Sequence, residues 1–580
     1  MKLVYGSQTG TAKEFSEALS RLLSSINIRV PPVSLANFPI KDLVSEDIIV
    51  FICSTTGQAE EPDNMKKFWK FLLRRNLPSS FLSRLKFAIF GLGDSSYPKF
   101  NVVSKRLFRR LLQLGATPIV PLSLGDDQHD LGPDAAFDPW AEELKLKLLQ
   151  LFPLPLDWKP RDPNIPPPSR YEVVNKNGSF FIPPSGNQIN RFSATISSNE
   201  KVTSGTHFQD VRLVSFNFNS ESFYYLPGAV LMVQPKNLNE NVKMFFQLFP
   251  HLLPDEELLL KVEPEVEYPS PLTLPQPFTL RKAVETYFDI QSKPKRYFFE
   301  LLSYFSQDEL EKEKLLEFSK AEGQQDLYSY VNRPRRNILE VLYDFRHTTP
   351  YIPVNYLFEL IPEMKARAFS IASSQDVYSS GAQLLVAVVN YKTRLSAPRL
   401  GLCSNFLARL RNGDKVDVWL KGGTVTFPPD DKPEIPVVMI GPGTGCAPFR
   451  AYIQHTVSRN INRRLIMFFG CRSKHHDFFF EEEWQPLVDS GKLELFTAFS
   501  RDQDDKVYVQ HKIRDQSSVL LPLILEQNAH IYVAGSSKQM PQDVKDALKD
   551  VLSTHMTKEE AEIYFKRLED QKRVQFETWS

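Results

Sequence analysis

Ser7-Gln8-Thr9-Gly10-Thr11 sets three hydroxyls and a glycine between a short apolar run, Leu3 to Tyr5, and a helix-spaced segment from Ala12 to Leu23. Amides at a helix start point outward with partial positive charge, so this turn can wrap a phosphate monoester with neutral donors alone. Gly10 permits the tight backbone approach. Two more loops follow apolar runs: Ser54-Thr55-Thr56-Gly57 after DIIVFIC, and Gly91-Leu92-Gly93-Asp94-Ser95-Ser96-Tyr97 after KFAIF. A further loop, Leu124-Gly125-Asp126-Asp127, follows Pro118 to Leu122. Tyr97 can stack on a flat ring, and Asn101 can meet a polar edge. Ligands of open α/β sheets collect at the carboxyl ends of strands, which makes these loops candidates for one site.

Toward the other end, Gly441-Pro442-Gly443-Thr444-Gly445-Cys446-Ala447-Pro448 follows the strand-like VVMI and opens a helix with proline in its first turn. Downstream come Ser500-Arg501, Lys506, Tyr508 and Gln510. Cations and hydroxyls at such a position suit a ribose 2′-phosphate, whereas an acidic residue would select a plain ribose. The pattern therefore points to NADPH rather than NADH. His475-His476-Asp477 and Glu481-Glu482-Glu483 do not have metal-ligand spacing, because Phe478 to Phe480 intervene, and they read as a surface turn. No metal site and no hydrolytic triad is expected.

The elements that must hold these residues fall into several domains, as 580 residues require. Apolar runs alternate with helical segments (Asn64 to Leu73, Val102 to Leu114) through residue 150, which predicts a parallel sheet covered on both faces. Between Phe152 and Arg170, Pro153, Pro155, Pro160, Pro163, Pro166, Pro167 and Pro168 predict a semi-rigid spacer, and the linker is drawn over 151–185. Residues 186–432 hold strand-like segments such as Val211 to Phe218, expected to form an antiparallel β-barrel. A helical insertion interrupts it at about 236–350 and includes Leu310 to Phe318. From 433 to 580, VVMI, RLIMFFG, LELFTAF and HIYVAG alternate with helices and predict a second doubly wound sheet. The fold class is multidomain α/β and β.

Hydrophobic residues make up 42% and charged residues 24%, with 70 Lys+Arg against 69 Asp+Glu. That near-neutral balance supplies no global field for nucleic acid or an anionic membrane. Cys53, Cys403, Cys446 and Cys471 form no CxxC pair, which favours a reducing compartment. No apolar run reaches the roughly 18 residues of a spanning helix. A cytosolic setting is expected.

SQTGTA, STTG, GLGDSSYPKFN and LGDD resemble the flavodoxin-like FMN domain of the cytochrome P450 reductase-like diflavin reductase family. The resemblance implies that Ser7, Gln8, Thr9, Gly10 and Thr11 hold the FMN phosphate. It also implies that Ser54, Thr55, Thr56, Gly57, Leu92, Gly93, Tyr97, Asn101 and Asp126 surround the ring. Where that family carries an aromatic, this chain has Thr56, so one face of the FMN is expected to be more open. Arg367-Ala368-Phe369-Ser370 resembles the R-x-[YF]-S signature of ferredoxin-NADP reductase relatives, and Gly401-Leu402-Cys403-Ser404 resembles their second FAD signature. An arginine offers a fork to the pyrophosphate, the aromatic packs on the ring and the serine reaches flavin N5.

Glu577-Thr578-Trp579-Ser580 resembles the family ending, in which tryptophan covers the FAD ring and yields to nicotinamide. Ser370, Glu577 and Trp579 are then the candidate catalytic residues. Gly441, Thr444, Gly445, Ser500, Arg501, Lys506, Tyr508 and Gln510 are the candidate NADPH contacts. The family places a cysteine where this chain has Ala534. EPDNMKKFWKFLLRRNLPSS and LGDDQHDLGPDAAFDPW resemble the cytosolic branch of the family. That resemblance implies electron flow from NADPH through FAD and FMN to an anamorsin-type iron–sulfur protein in cytosolic iron–sulfur cluster assembly. A soluble P450 reductase-like enzyme and a flavin-bearing assembly scaffold are the alternatives.

Overall fold

The structure, a computed structural model, describes residues 1–56, 60–97, 99–155, 157–159, 162, 164–175, 191–218, 223–263, 269, 273–320 and 322–579. It has two compact units: Met1–Ile182 with Met244–Arg281 and Ser292–Pro362, and Pro183–Lys243 with Lys282–Gln291 and Glu363–Ser580.

In the first unit, β1 (Lys2–Gly6), β2 (Pro32–Ser34), β3 (Ile48–Ser54), β4 (Lys86–Gly93) and β5 (Thr117–Pro118) form a sheet in the order β2-β1-β3-β4-β5. A sixth strand, β6 (Ser123–Asp126), also pairs with β4, and every pairing is parallel. That is the flavodoxin-like strand order. Alternate residues of β3 serve opposite faces, as the pleat requires. Ile48, Val50 and Ile52 meet helices α1 (Thr11–Ser24) and α4 (Asp134–Leu151). Ile49, Phe51 and Cys53 meet α2 (Lys66–Leu72) and α3 (Val102–Gln113). Burial on both faces is why the strand reads as a continuous apolar run.

The same unit contains helices Arg296–Ser303, Glu309–Ser319, Ile338–Asp344 and Val354–Leu360, and a small antiparallel sheet of Tyr171–Asn175, Glu257–Val262 and Phe278–Thr279. Residues 171–175, inside the stretch expected to be spacer, thus form a paired strand. Just before them Arg170 grips Glu359 through its Nη2 at 2.6 Å, and the Tyr356 hydroxyl donates to the Pro167 carbonyl at 2.8 Å. Proline content predicts the absence of helix but not docking, because a proline carbonyl still accepts hydrogen bonds.

In the second unit six antiparallel strands run in the order Arg367–Ser370, Val230–Val233, Lys415–Lys421, Phe192–Lys201, Val211–Asn217, Gly381–Ala387. A bridge between Ile371 and Leu384 joins the two ends and closes the barrel around an apolar core. Beyond it, a parallel sheet runs Glu494–Phe499, Leu465–Cys471, Val437–Ile440, His530–Ser536, Val574–Trp579. The order reverses at Val437–Ile440 and His530–Ser536, which places a ligand crevice at their carboxyl ends. Among the described residues no helix is long and apolar enough to cross a membrane.

Candidate active site

The flavodoxin loops meet because sheet register aligns the ends of their strands. Gly6 pairs with Cys53, Ser54 with Leu92, and Gly93 with Asp126. The Ser7 hydroxyl accepts from Gly10 N at 2.8 Å, and Gly10 takes φ 96°, which only glycine adopts cheaply. Asn64 Oδ1 accepts from Ser7 N at 2.9 Å, while Gln8 and Asp63 bond each other twice at 2.9 Å, so the 63–64 turn braces the Ser7–Gly10 loop. Asp126 accepts from Ser95 N at 2.9 Å and Gln128 N at 3.0 Å. Burial pushes its carboxyl upward, but these bonds outweigh burial and hold it below the ordinary carboxylate range.

Thr55 N donates to the Leu92 carbonyl, and Thr56 exchanges backbone bonds with Glu60, which turns the loop back on itself. Tyr97 is half-buried. Gly57 lies outside the described residues. Asn101 sits beneath the loops rather than at their rim: it is fully buried, takes a left-handed φ of 54°, and donates to the Gly125 carbonyl at 2.9 Å. A Cβ at Gly91 would come within 2.8 Å of its Oδ1, so Gly91 keeps the space that Asn101 fills.

In the second unit, Arg367 lies at the start of its strand, with Nη2 3.4 Å from the buried Asp289 carboxylate. No sequence signal marked Asp289. Phe369 packs against the barrel core, and strand alternation sends Ser370 to the opposite face. The Ser370 hydroxyl donates to Glu577 Oε1, and Thr424 Oγ1 donates to Glu577 Oε2 at 3.3 Å. Glu577 is only 8% exposed, and burial raises its carboxyl despite both bonds. Thr424 was missed as well, since it sits in a loop without a recognisable pattern. Trp579 ends the last strand opposite Ser536 and is partly exposed.

Gly401 opens the helix Leu402–Arg409, where a Cβ would lie 2.7 Å from that of Val389. The Ser404 hydroxyl is used inside the turn, accepting from Val389 N at 3.0 Å and donating to the Gly401 carbonyl at 3.2 Å. Burial pushes the Cys403 thiol up to about 12, which leaves it inert.

The glycine loop follows Val437–Ile440 and passes through a 3₁₀ turn, Gly443–Cys446, into the helix Ala447–Ser458. A Cβ on Gly445 would stand 2.1 Å from the Ala534 carbonyl, so this loop and the His530–Ser536 strand touch backbone to backbone. Ala534 pairs with Glu577 and is fully buried. Thr444 is part of the same turn. Ser500 is half-buried, whereas Arg501, Lys506 and Tyr508 are exposed, and Tyr508 caps the helix Val509–Asp515. Gln510 bonds Asp543 at 3.2 Å.

The donor sets fit three different groups. Neutral hydroxyls and helix-start amides suit a phosphate monoester, a guanidinium with a glycine-led helix suits a diphosphate, and exposed cations with hydroxyls suit a 2′-phosphate.

Known families match the chain in three successive segments. A flavodoxin family model matches residues 3–140, an FAD binding domain 184–406, and an oxidoreductase NAD-binding domain 439–546. The NADPH-dependent diflavin oxidoreductase 1 of Xenopus laevis is 47% identical, with 100% of this chain and 99% of that protein aligned. The proteins of that name from Danio rerio and Schizosaccharomyces pombe are 46% and 36% identical over the same shares of both chains. The chain belongs to the NADPH-dependent diflavin oxidoreductase family. As a diflavin oxidoreductase it is a flavoprotein enzyme whose cofactors are FAD, FMN and NADPH.

Proposed function

We propose that this diflavin oxidoreductase moves electrons from NADPH to FAD to FMN and on to a protein acceptor, an anamorsin-type iron–sulfur protein in cytosolic iron–sulfur cluster assembly. The observation that carries the electron-entry end is the buried Glu577, which accepts from Ser370 and Thr424 and stands on the strand paired with Ala534 beside the glycine loop. The reading takes residues 1–150 as the FMN part, 151–185 as linker, 186–432 as the FAD part with its insertion, and 433–580 as the NADPH part. NADPH supplies an electron pair, and two flavins in series divide it into single electrons.

The protein's work is placement and electrostatics. Ser7 to Thr11 and the helix start hold the FMN phosphate, Tyr97 flanks its ring, and Asp126 lies at its edge. Arg367, braced by Asp289, holds the FAD diphosphate with the Gly401 helix start. Ser370 and Glu577 would flank the reacting edge of the flavin, and Trp579, at the end of the last strand, would shield its ring and give way to the nicotinamide. Ser500, Arg501, Lys506 and Tyr508 recognise the 2′-phosphate. A reducing, cytosolic setting is supported by four unpaired cysteines.

The test offers the purified holoenzyme an anamorsin-type iron–sulfur protein and a cytochrome P450 side by side, with NADPH as donor. Faster reduction of the iron–sulfur protein is expected. Preference for the cytochrome would establish a P450 reductase-like enzyme instead, and binding without turnover of either would make the chain a scaffold.

A further inference from the structure

His475-His476-Asp477, whose spacing does not suit a metal, closes a turn that begins at Cys471. His475 and His476 are exposed, but Asp477 is 5% exposed. Its carboxylate accepts from Ser473 N at 2.7 Å and Arg472 N at 3.1 Å, so it closes the turn on itself from beneath. The closed turn then meets the 2′-phosphate segment strand to strand. Ser500 N donates to the Cys471 carbonyl at 2.9 Å, Arg501 N to the Arg472 carbonyl at 2.8 Å, and Lys474 N to Asp502 Oδ2 at 2.7 Å. Ser500 and Arg501 therefore take their backbone positions from a turn whose shape depends on one buried carboxylate.

The cost of burying that carboxylate argues for a purpose. The His207 ring lies 3.8 Å from the same carboxylate, itself kept below its ordinary range chiefly by burial. An aspartate in a surface turn could close the same hydrogen bonds while solvated. A buried one fixes the turn rigidly, and rigidity is what a two-point grip on a phosphate needs.

We propose that Asp477 is a positioning residue for NADPH recognition, setting the preference for the 2′-phosphate by holding the Cys471–Ser473 turn against Ser500–Arg501. The inference rests on the proposed assignment of Ser500 and Arg501 to the 2′-phosphate. It also gives Cys471 a defined state. Burial, and after it the Asp477 charge, push this thiol well above its ordinary range, so a cysteine beside the nucleotide segment stays protonated and unreactive.

The experiment compares wild-type holoenzyme, Asp477→Asn and Arg501→Ala. Binding of 2′,5′-ADP and of 5′-ADP is measured by calorimetry, steady-state KM and kcat with NADPH and NADH, and the rate at which a maleimide labels Cys471. For Asp477→Asn the proposal expects 2′,5′-ADP affinity and NADPH KM to worsen by about tenfold, because the grip is lost but the cations remain. It expects 5′-ADP affinity and NADH KM to move less than twofold, and Cys471 labelling to quicken several-fold. Equal weakening toward both nucleotides, or none, would overturn it. Arg501→Ala separates the two layers: if it too leaves the 2′,5′-ADP preference intact, the 2′-phosphate assignment itself fails. If only Asp477→Asn is silent, the positioning role fails alone. Should Asp477→Asn lose its flavins on purification, Asp477→Glu, which keeps the charge but lengthens the arm, gives the same comparison.

Discussion

Glu577 combines two demands that pull against each other. Its burial favours the neutral acid, whereas the hydroxyls of Ser370 and Thr424 both donate to it and favour the carboxylate. The net effect is a pKa raised above the ordinary glutamate value. With Glu577 beside the nicotinamide, as proposed, its ionised form would stabilise positive charge developing there. The rate of flavin bleaching in stopped flow should therefore fall as pH drops through this raised pKa. Glu577→Gln should lose that limb and run about 10²-fold slower at neutral pH. Stability carries the opposite sign. An acid whose folded pKa is raised contributes stability that is present below its unfolded pKa and lost as pH rises through its folded one. Glu577→Gln, which keeps the Ser370 bond, should thus raise the denaturation midpoint at pH 7 and change it little at pH 4. A slower enzyme that is no more stable at pH 7 would show that the carboxylate is ionised there at no cost.

At the scale of the element, two glycines of one loop divide steric from conformational need. Gly445 has no room for a Cβ, which would stand 2.1 Å from the Ala534 carbonyl; Gly443 has open space around it but takes φ 57°. Gly445→Ala should push the loop off the His530–Ser536 strand, cost about 2–3 kcal/mol in chemical denaturation and raise the NADPH KM. Gly443→Ala should cost only about 1 kcal/mol, the price of a left-handed alanine. Equal losses would mean that the loop yields easily at Gly445. The same loop illustrates what the sequence made legible. Gly441 to Pro448, Arg367 to Ser370 and Ser7 to Thr11 are contiguous strings, and contiguous strings lie beside or within strands whose apolar runs are plain, so these three segments and their sheets were readable. Thr424, Asp289 and Asp477 were not, because each acts through a contact made across the fold by a residue whose neighbours in sequence give no pattern. Asn101 was legible as part of a motif but not as a buried brace, since burial is a property of packing. The strand Tyr171–Asn175 was hidden for a related reason: its partner, Glu257–Val262, lies more than eighty residues away.

For the whole molecule the question is how an FMN-carrying part reaches an acceptor outside the chain. Within the first unit the flavodoxin part rests on the helical insertion through charges. Lys295 pairs with Glu14, Arg296 with Asp138, and the Arg21 guanidinium lies 3.5 Å over the Tyr297 ring. Arg170, which grips Glu359, also lies 3.7 Å from Glu17. Ion pairs of this kind are weakened by salt, so the part of the interface they hold can be loosened by it. The Lys295 and Arg296 pairs are partly exposed, so together they contribute about 1 kcal/mol, which is about fivefold in a released population. If release precedes delivery to the acceptor, Lys295→Ala with Arg296→Ala should speed reduction of the proposed iron–sulfur acceptor by about that factor at low salt. The advantage should vanish near 0.3 M salt, where the wild-type pairs are themselves screened. Reduction of ferricyanide by NADPH in the same preparations is the control, because a small oxidant needs no docking surface. The acceptor's own docking, if it too is electrostatic, weakens with salt, so the wild-type rate should pass through a maximum while the double variant only declines. A double variant with an unchanged rate would mean that delivery occurs with the flavodoxin part still seated on the insertion. In that case the acceptor must reach the FMN across the surface left open in the seated state.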